Sequence, residues 1–290
     1  MRIVLISFLF GAYVHAATCC LGGGPKSFIS LQRLEKYQIG LSTGVRDVFA
    51  HYNIYGELEE SPKNQTITAA LGVGVRIFDP LQLSVMVPFV YQQNQVGPSI
   101  ATRKNLGDTF AGFQYTIIES LFQSDKYPTV AIQAGVKFPT GAVESSTSGN
   151  VRGTGNGLWE PTMGLLLQKN YSILSGSVRA AFTKRVPTAK ITDREGDLIE
   201  LNETLALNFT QRLSVAAGLG QAWTRAGYQN GVEIPDTHSR IISALFSATY
   251  FVTRQASLTA AFESALPVEA WGMNQQAYRS FSLTARFGFI

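Results

Sequence analysis

Nine charged side chains sit where the surrounding residues alternate apolar and polar: Arg46, Arg76, Asp108, Lys137, Glu160, Arg179, Glu200, Glu263 and Arg286. Each falls in the polar half of its alternation, so all nine are expected on the inner face of a sheet whose other face is greasy. Charges of both signs on such a face suit a wet passage or mutual pairing, and they argue against strong ion selectivity. Catalysis is poorly served by the same chain. His51 has only Asn53 close by on its own face, and His238 precedes Ser239, which an extended backbone sends to the opposite face. A hydrolytic site needs a His and a Ser on one face with a polar orienter. No His/Cys/Asp/Glu cluster has metal-ligand spacing, and Gly153-Thr154-Gly155-Asn156-Gly157 reads as a flexible loop. No catalytic residue, metal or cofactor is therefore expected.

The elements that would carry these charges are strands. The last thirteen residues place Phe281, Leu283, Ala285, Phe287 and Phe289 on one face and Ser280, Ser282, Thr284, Arg286 and Gly288 on the other. Ile67, Ala69, Leu71, Val73, Val75 and Ile77 do the same, and after Asp79-Pro80 so do Leu81, Leu83, Val85, Val87, Phe89 and Tyr91. In the first run the outward set is Tyr37, Ile39, Leu41, Thr43 and Val45, which a bulge near Asp47 shifts to Val48, Ala50, Tyr52 and Ile54. Further runs are expected at 106–118, 129–138, 159–168, 171–185, 197–210, 213–225, 239–251 and 256–266, twelve in all. Each is close to the roughly 9 to 11 residues that cross a bilayer at a tilt.

The connections are sorted by length. Segments 56–64, 93–105, 139–158, 186–196, 226–238 and 267–277 are long, whereas Asp79-Pro80, Lys169-Asn170, Gln211-Arg212 and 253–255 are short, with 119–128 between. A soluble sandwich has no reason to sort its loops. An all-β, closed antiparallel up-and-down transmembrane β-barrel of about 12 strands does, with short turns and both termini on the periplasmic side.

The N-terminus points to the same compartment. Met1-Arg2, an apolar core from Ile3 to Ala12, and Val14-His15-Ala16 make an export signal at residues 1–16. Residues 17–35 form a Gly-containing leader, or a plug that enters the lumen, and 36–290 form the barrel. Cys19 and Cys20 are adjacent and cannot staple a core; an unremarkable leader, a vicinal disulfide or weak metal site, and lipidation of Cys19 are the three readings, the lipobox match being poor. Charged residues make up 15% and hydrophobic residues 45% of the chain, with mean hydropathy +0.07, too polar for helical spans and low in charge for a soluble protein. Removal of 1–16 takes away Arg2 and lowers the formal charge from +4 to +3, which implies no nucleic-acid partner.

Four stretches, in order, carry a resemblance: Val85-Met86-Val87-Pro88-Phe89; Leu106-Gly107-Asp108; Lys137-Phe138-Pro139-Thr140-Gly141; and Gly153-Thr154-Gly155-Asn156-Gly157-Leu158-Trp159-Glu160-Pro161. The set resembles the outer-membrane transporter family of the meta-pathway of phenol degradation. Its motifs are short, and the match in order and spacing runs from residue 65 to 170. The resemblance implies a channel or transporter for small solutes, aromatic and hydrophobic compounds among them. From the residues themselves, Pro88 and Pro139 release the chain from the sheet, and Asp108 is expected to pair with Lys137. The expected partners are outer-membrane lipid, the barrel-assembly machinery and a small-molecule solute. A structural or adhesive barrel with a filled lumen is the alternative reading, and a barrel hydrolase is a third.

Overall fold

The computed structural model describes residues 29, 31, 35–96, 99–120, 126–142, 154–155, 157–188, 195–229, 231–268 and 272–290. The expected export signal, Cys19 and Cys20, and Gly153 and Asn156 lie outside them. The strands in chain order are β1 (Tyr37–Tyr52), β2 (Leu58–Phe78), β3 (Leu81–Val96), β4 (Ser99–Leu106), β5 (Thr109–Ile118), β6 (Thr129–Phe138), β7 (Leu158–Tyr171) and β8 (Leu174–Thr183). They continue as β9 (Val186–Pro187), β10 (Leu198–Asn208), β11 (Leu213–Thr224), β12 (Tyr228–Gln229), β13 (Val232–Glu233), β14 (Ser239–Phe251), β15 (Ala256–Ala265) and β16 (Gln275–Phe289).

Twelve strands close a ring in the order β1, β2, β3, β5, β6, β7, β8, β10, β11, β14, β15, β16, each antiparallel to both neighbours. The last strand closes against the first, with Tyr37 opposite Phe289 and Val45 opposite Phe281. Closure leaves the ring without an edge, which a lipid setting demands because no water is there to satisfy bare backbone groups. The outward face is apolar: Leu41, Leu71, Phe89, Leu283 and Phe287 are all about half exposed or more. The inward face holds buried Gln38, Ser84, Gln114, Gln133, Ser214, Ser247 and Thr249.

Short turns gather at the end that carries Tyr37 and Phe289. Two of them use the same device. The Thr210 hydroxyl accepts from the amides of Arg212 and Leu213, and the Thr253 hydroxyl accepts from those of Gln255 and Ala256. The β7–β8 turn falls at Ser172-Ile173, with Ser172 at φ 55°, three residues beyond the Lys169-Asn170 turn expected from the sequence.

Two expected loops are corrected. Residues 58–64 and 93–96 are strand, and with β4 they raise β2, β3 and β4 into a tall antiparallel ribbon at the opposite end. Leu58 packs on the Tyr52 cluster while Glu59 and Glu60 are exposed, so no apolar alternation marks this stretch, and the backbone ladder does not depend on side-chain polarity. The outward assignment of Val48, Ala50 and Tyr52 is corrected too. A register shift between Val48 and Ala50 coincides with burial of all three, and Tyr52 packs in a cluster with Ile241, Ala265 and Ala277 while its hydroxyl donates to the Leu266 carbonyl.

Candidate functional site

Five of the nine charges picked out from the sequence sit in two groups on the inner wall, one at each end. At the ribbon end, β3 changes partner. Leu81 to Met86 pair with β5 and Phe89 to Val96 with β4, and between them lies Pro88, which has no amide hydrogen for the ladder. There the chain breaks between β4 and β5 at Gly107-Asp108, and the Gly107 amide donates to the Pro88 carbonyl.

The segments after β6 and before β7 fold over this break. Thr140 donates its hydroxyl hydrogen to the Gly107 carbonyl, and its oxygen accepts from the Thr109 amide at 2.9 Å. Thr154 donates to the Leu106 carbonyl at 2.8 Å and accepts from the Ala142 amide at 3.0 Å. Asp108 Oδ1 accepts from the Gly141 amide at 3.0 Å. A Cβ on Gly155 would overlap the Asp108 carboxylate, and one on Gly141 would lie 2.7 Å from the Gly155 backbone. Glycine is required at both places by close approach.

A chain of charges continues from Asp108 along the wall. Lys137 Nζ lies 3.6 Å from Asp108 Oδ2 and 2.7 Å from Glu160 Oε2. Arg185 Nε donates to Glu160 Oε1 at 3.0 Å, and Arg185 Nη1 lies 2.7 Å from Glu195. Lys137 and Glu160 meet because they are register partners on β6 and β7. Glu160 is fully buried, so its two cations offset the cost of desolvating it.

At the turn end a second ion pair is buried. Arg286 pairs with Glu35, both side chains being 4% exposed. Arg76 Nε donates to the Glu35 carbonyl at 3.0 Å and Arg76 Nη1 to the Asp79 carbonyl at 2.9 Å. Upstream of Glu35, Ile29 and Leu31 are buried, and the Leu31 amide donates to Gln82 Oε1. Side chains on Gly72 or Gly74 would strike Ile29 at 2.6 to 2.9 Å, so the seat for this segment exists only because the inner face of β2 is bare there.

The remaining four charges lie on the inner face between these groups. Arg46 lies over the Tyr278 ring, its guanidinium carbon 3.7 Å from the centroid. Glu263 accepts from Tyr278 at 2.6 Å and from Ser243 at 2.9 Å. Arg179 donates to Gln133, which donates in turn to Gln114. Glu200 stands between Ala181 and Ala222 on neighbouring strands.

Sequence reasoning passed over Arg185, although it shares the parity of Arg179, Ala181 and Thr183 and so was legible by period two. It also passed over Glu35 as a partner, which no local signal marks. His51 and His238 are not brought to Ser239 in a hydrogen-bonded set; the His238 carbonyl accepts from Asn274.

The family model described as "Putative MetA-pathway of phenol degradation" matches residues 48–283. The chain belongs to that family. No curated protein matches the sequence. An outer membrane channel from Pseudomonas putida F1 superposes with a TM-score of 0.73 at 13% identity, covering 90% of this chain and 97% of that one. The translocator domain of the autotransporter NalP from Neisseria meningitidis superposes at 0.50 with 10% identity, over 88% of each chain. At these identities the likeness is one of fold: a closed outer-membrane β-barrel. For this member of the phenol-degradation family, the four motifs that carry the resemblance are brought by the fold to one place, the clamp around Asp108.

Proposed function

We propose that this protein is an outer-membrane channel for small solutes, aromatic and hydrophobic compounds among them, which cross by passive or gated diffusion. The observation that carries the reading is the sorting of the closed wall into an apolar outside and an inside of Gln, Ser, Thr and paired charges. Membership of the family supports the solute class. The protein conducts its solute and does not transform it. Its partners are outer-membrane lipid along the apolar wall and the barrel-assembly machinery at the terminal strand. Both chain ends and the short turns lie in the periplasm, and the β2–β3–β4 ribbon stands outside.

Of the expected plug, residues 17–35, only Ile29, Leu31 and Glu35 are among the described residues, and in this reading they belong to the gate at the turn end. The contacts of Ile29 and Leu31 with Gly72 and Gly74, and the buried Glu35–Arg286 pair, support it. Arg76 and Arg286 then hold the gate, while Asp108, Lys137 and Glu160 hold the outer clamp. Arg46, Arg179, Glu200 and Glu263 line the path between them. The test is swelling of liposomes that contain the purified protein, with toluene-like alcohols and pentoses as solutes. Permeation above protein-free liposomes supports a channel. No permeation of any solute, by the protein or by a variant with Glu35 replaced by Gln, favours the filled structural barrel.

A further inference from the structure

The Arg46 guanidinium differs from the other inner cations picked out from the sequence. Arg76 and Arg179 meet oxygens, and Lys137 and Arg286 meet carboxylates. Arg46 meets a ring. Among the described residues no hydrogen bond or ion pair engages its N–H groups, and the side chain is exposed on the inner face of β1. Stacking covers one face of the planar guanidinium and leaves its hydrogen-bonding edge open.

The ring beneath it is held in place. Tyr278 donates its hydroxyl hydrogen to Glu263 at 2.6 Å, and Glu263 takes a second hydrogen bond from the buried Ser243 hydroxyl at 2.9 Å. Glu263 thus holds Tyr278 at its hydroxyl edge, while Arg46 lies over the face of the ring. Beside Arg46 in register are Thr66 on β2 and Ser280 on β16, two hydroxyl residues on the same inner face. An orientated guanidinium flanked by neutral donors matches one ligand geometry well, a planar carboxylate gripped by two parallel N–H groups.

We propose that Arg46, positioned by Tyr278 and Glu263, is a binding subsite for the carboxylate of a small organic monoanion passing through the lumen. The inference deepens the channel reading and rests on it for the identity of the solute path. The Glu263 charge at the ring's hydroxyl edge selects among anions, because it repels a dianion more strongly than a monoanion.

The experiment is calorimetric titration of the full chain in detergent with sodium benzoate and, separately, with benzamide, its neutral counterpart of the same shape. Benzoate is expected to bind at least about tenfold more tightly than benzamide, the usual margin for a charge-assisted contact. Arg46→Gln is expected to remove that margin, and Arg46→Lys to restore part of it. Tyr278→Phe, which keeps the ring but frees it from Glu263, is expected to lower the benzoate-to-benzamide ratio several-fold. Equal binding of the two probes, or an unchanged ratio in Arg46→Gln, overturns the proposal. Heat-modifiable migration on gels verifies that each variant is folded. Benzoate binding without permeation of any solute would support the subsite and sink the channel, so the two failures are distinct.

Discussion

Glu160 is the shared anion of two cations: Lys137 approaches one carboxylate oxygen at 2.7 Å and Arg185 the other at 3.0 Å. Lys137 in turn reaches Asp108, around which Gly141 and Gly155 close. One buried carboxylate therefore links the barrel wall to the segments that fold over its ribbon end.

Replacement of Glu160 by Gln removes the buried counter-charge that the two cations share, leaving Lys137 only Asp108 at 3.6 Å and Arg185 only the exposed Glu195. A loss of about 3–5 kcal/mol in stability is expected. Urea-dependent folding into lipid vesicles, followed by tryptophan fluorescence, measures it; a change within error would mean that water reaches the pair.

Gly155→Ala places a methyl group against the Asp108 carboxylate. The clamp must shift, at a cost of about 1–3 kcal/mol. Limited proteolysis of the folded protein reads the effect, with faster cleavage expected between residues 139 and 157 and unchanged cleavage elsewhere.

Removing the Glu35 carboxylate tests the turn end. In Glu35→Gln the segment loses its ion pair with Arg286 but keeps the seats of Ile29 and Leu31. Longer or more frequent open events in planar bilayers are expected. Deleting residues 17–35 should go further in the same direction, and conductance equal to wild type in both variants removes the plug from the account.

Glu203 places a carboxylate on the apolar wall. It shares its outward face with Ile199, Leu201 and Leu205 in the middle of β10, opposite Val178 and Leu219, in a shallow depression with Gly176 and Ala217. A carboxylate there is unfavourable, so Glu203→Leu is expected to raise stability in vesicles by up to about 2 kcal/mol. Leu283→Arg on β16 is the converse, with a loss of about 2–4 kcal/mol. Stabilities that move the other way would place these positions out of contact with lipid.

Legibility followed locality. Period-two alternation reports which face a residue takes, so the outward row Phe281, Leu283 and Phe287 and the inward Arg286 could be read directly. The Lys137–Glu160 contact was not legible, because it depends on the register across two strands joined by a long segment. The burial of Val48, Ala50 and Tyr52 was missed because a bulge expected near Asp47 moved the outward set onto these positions, whereas the register shift lies beyond Val48, which keeps the inward parity of Arg46.

By itself the sequence determined a closed barrel, its wall strands and its two faces, since alternation and loop sorting are written along the chain within a few residues of one another. Only the tertiary structure decided who meets whom: Glu35 with Arg286 across 251 residues, Thr154 with Leu106 across 48, and Arg46 with Tyr278. Such partners are set by ring closure and by the register of neighbouring strands. No local pattern carries that information, because a strand's alternation is the same whichever strand lies beside it.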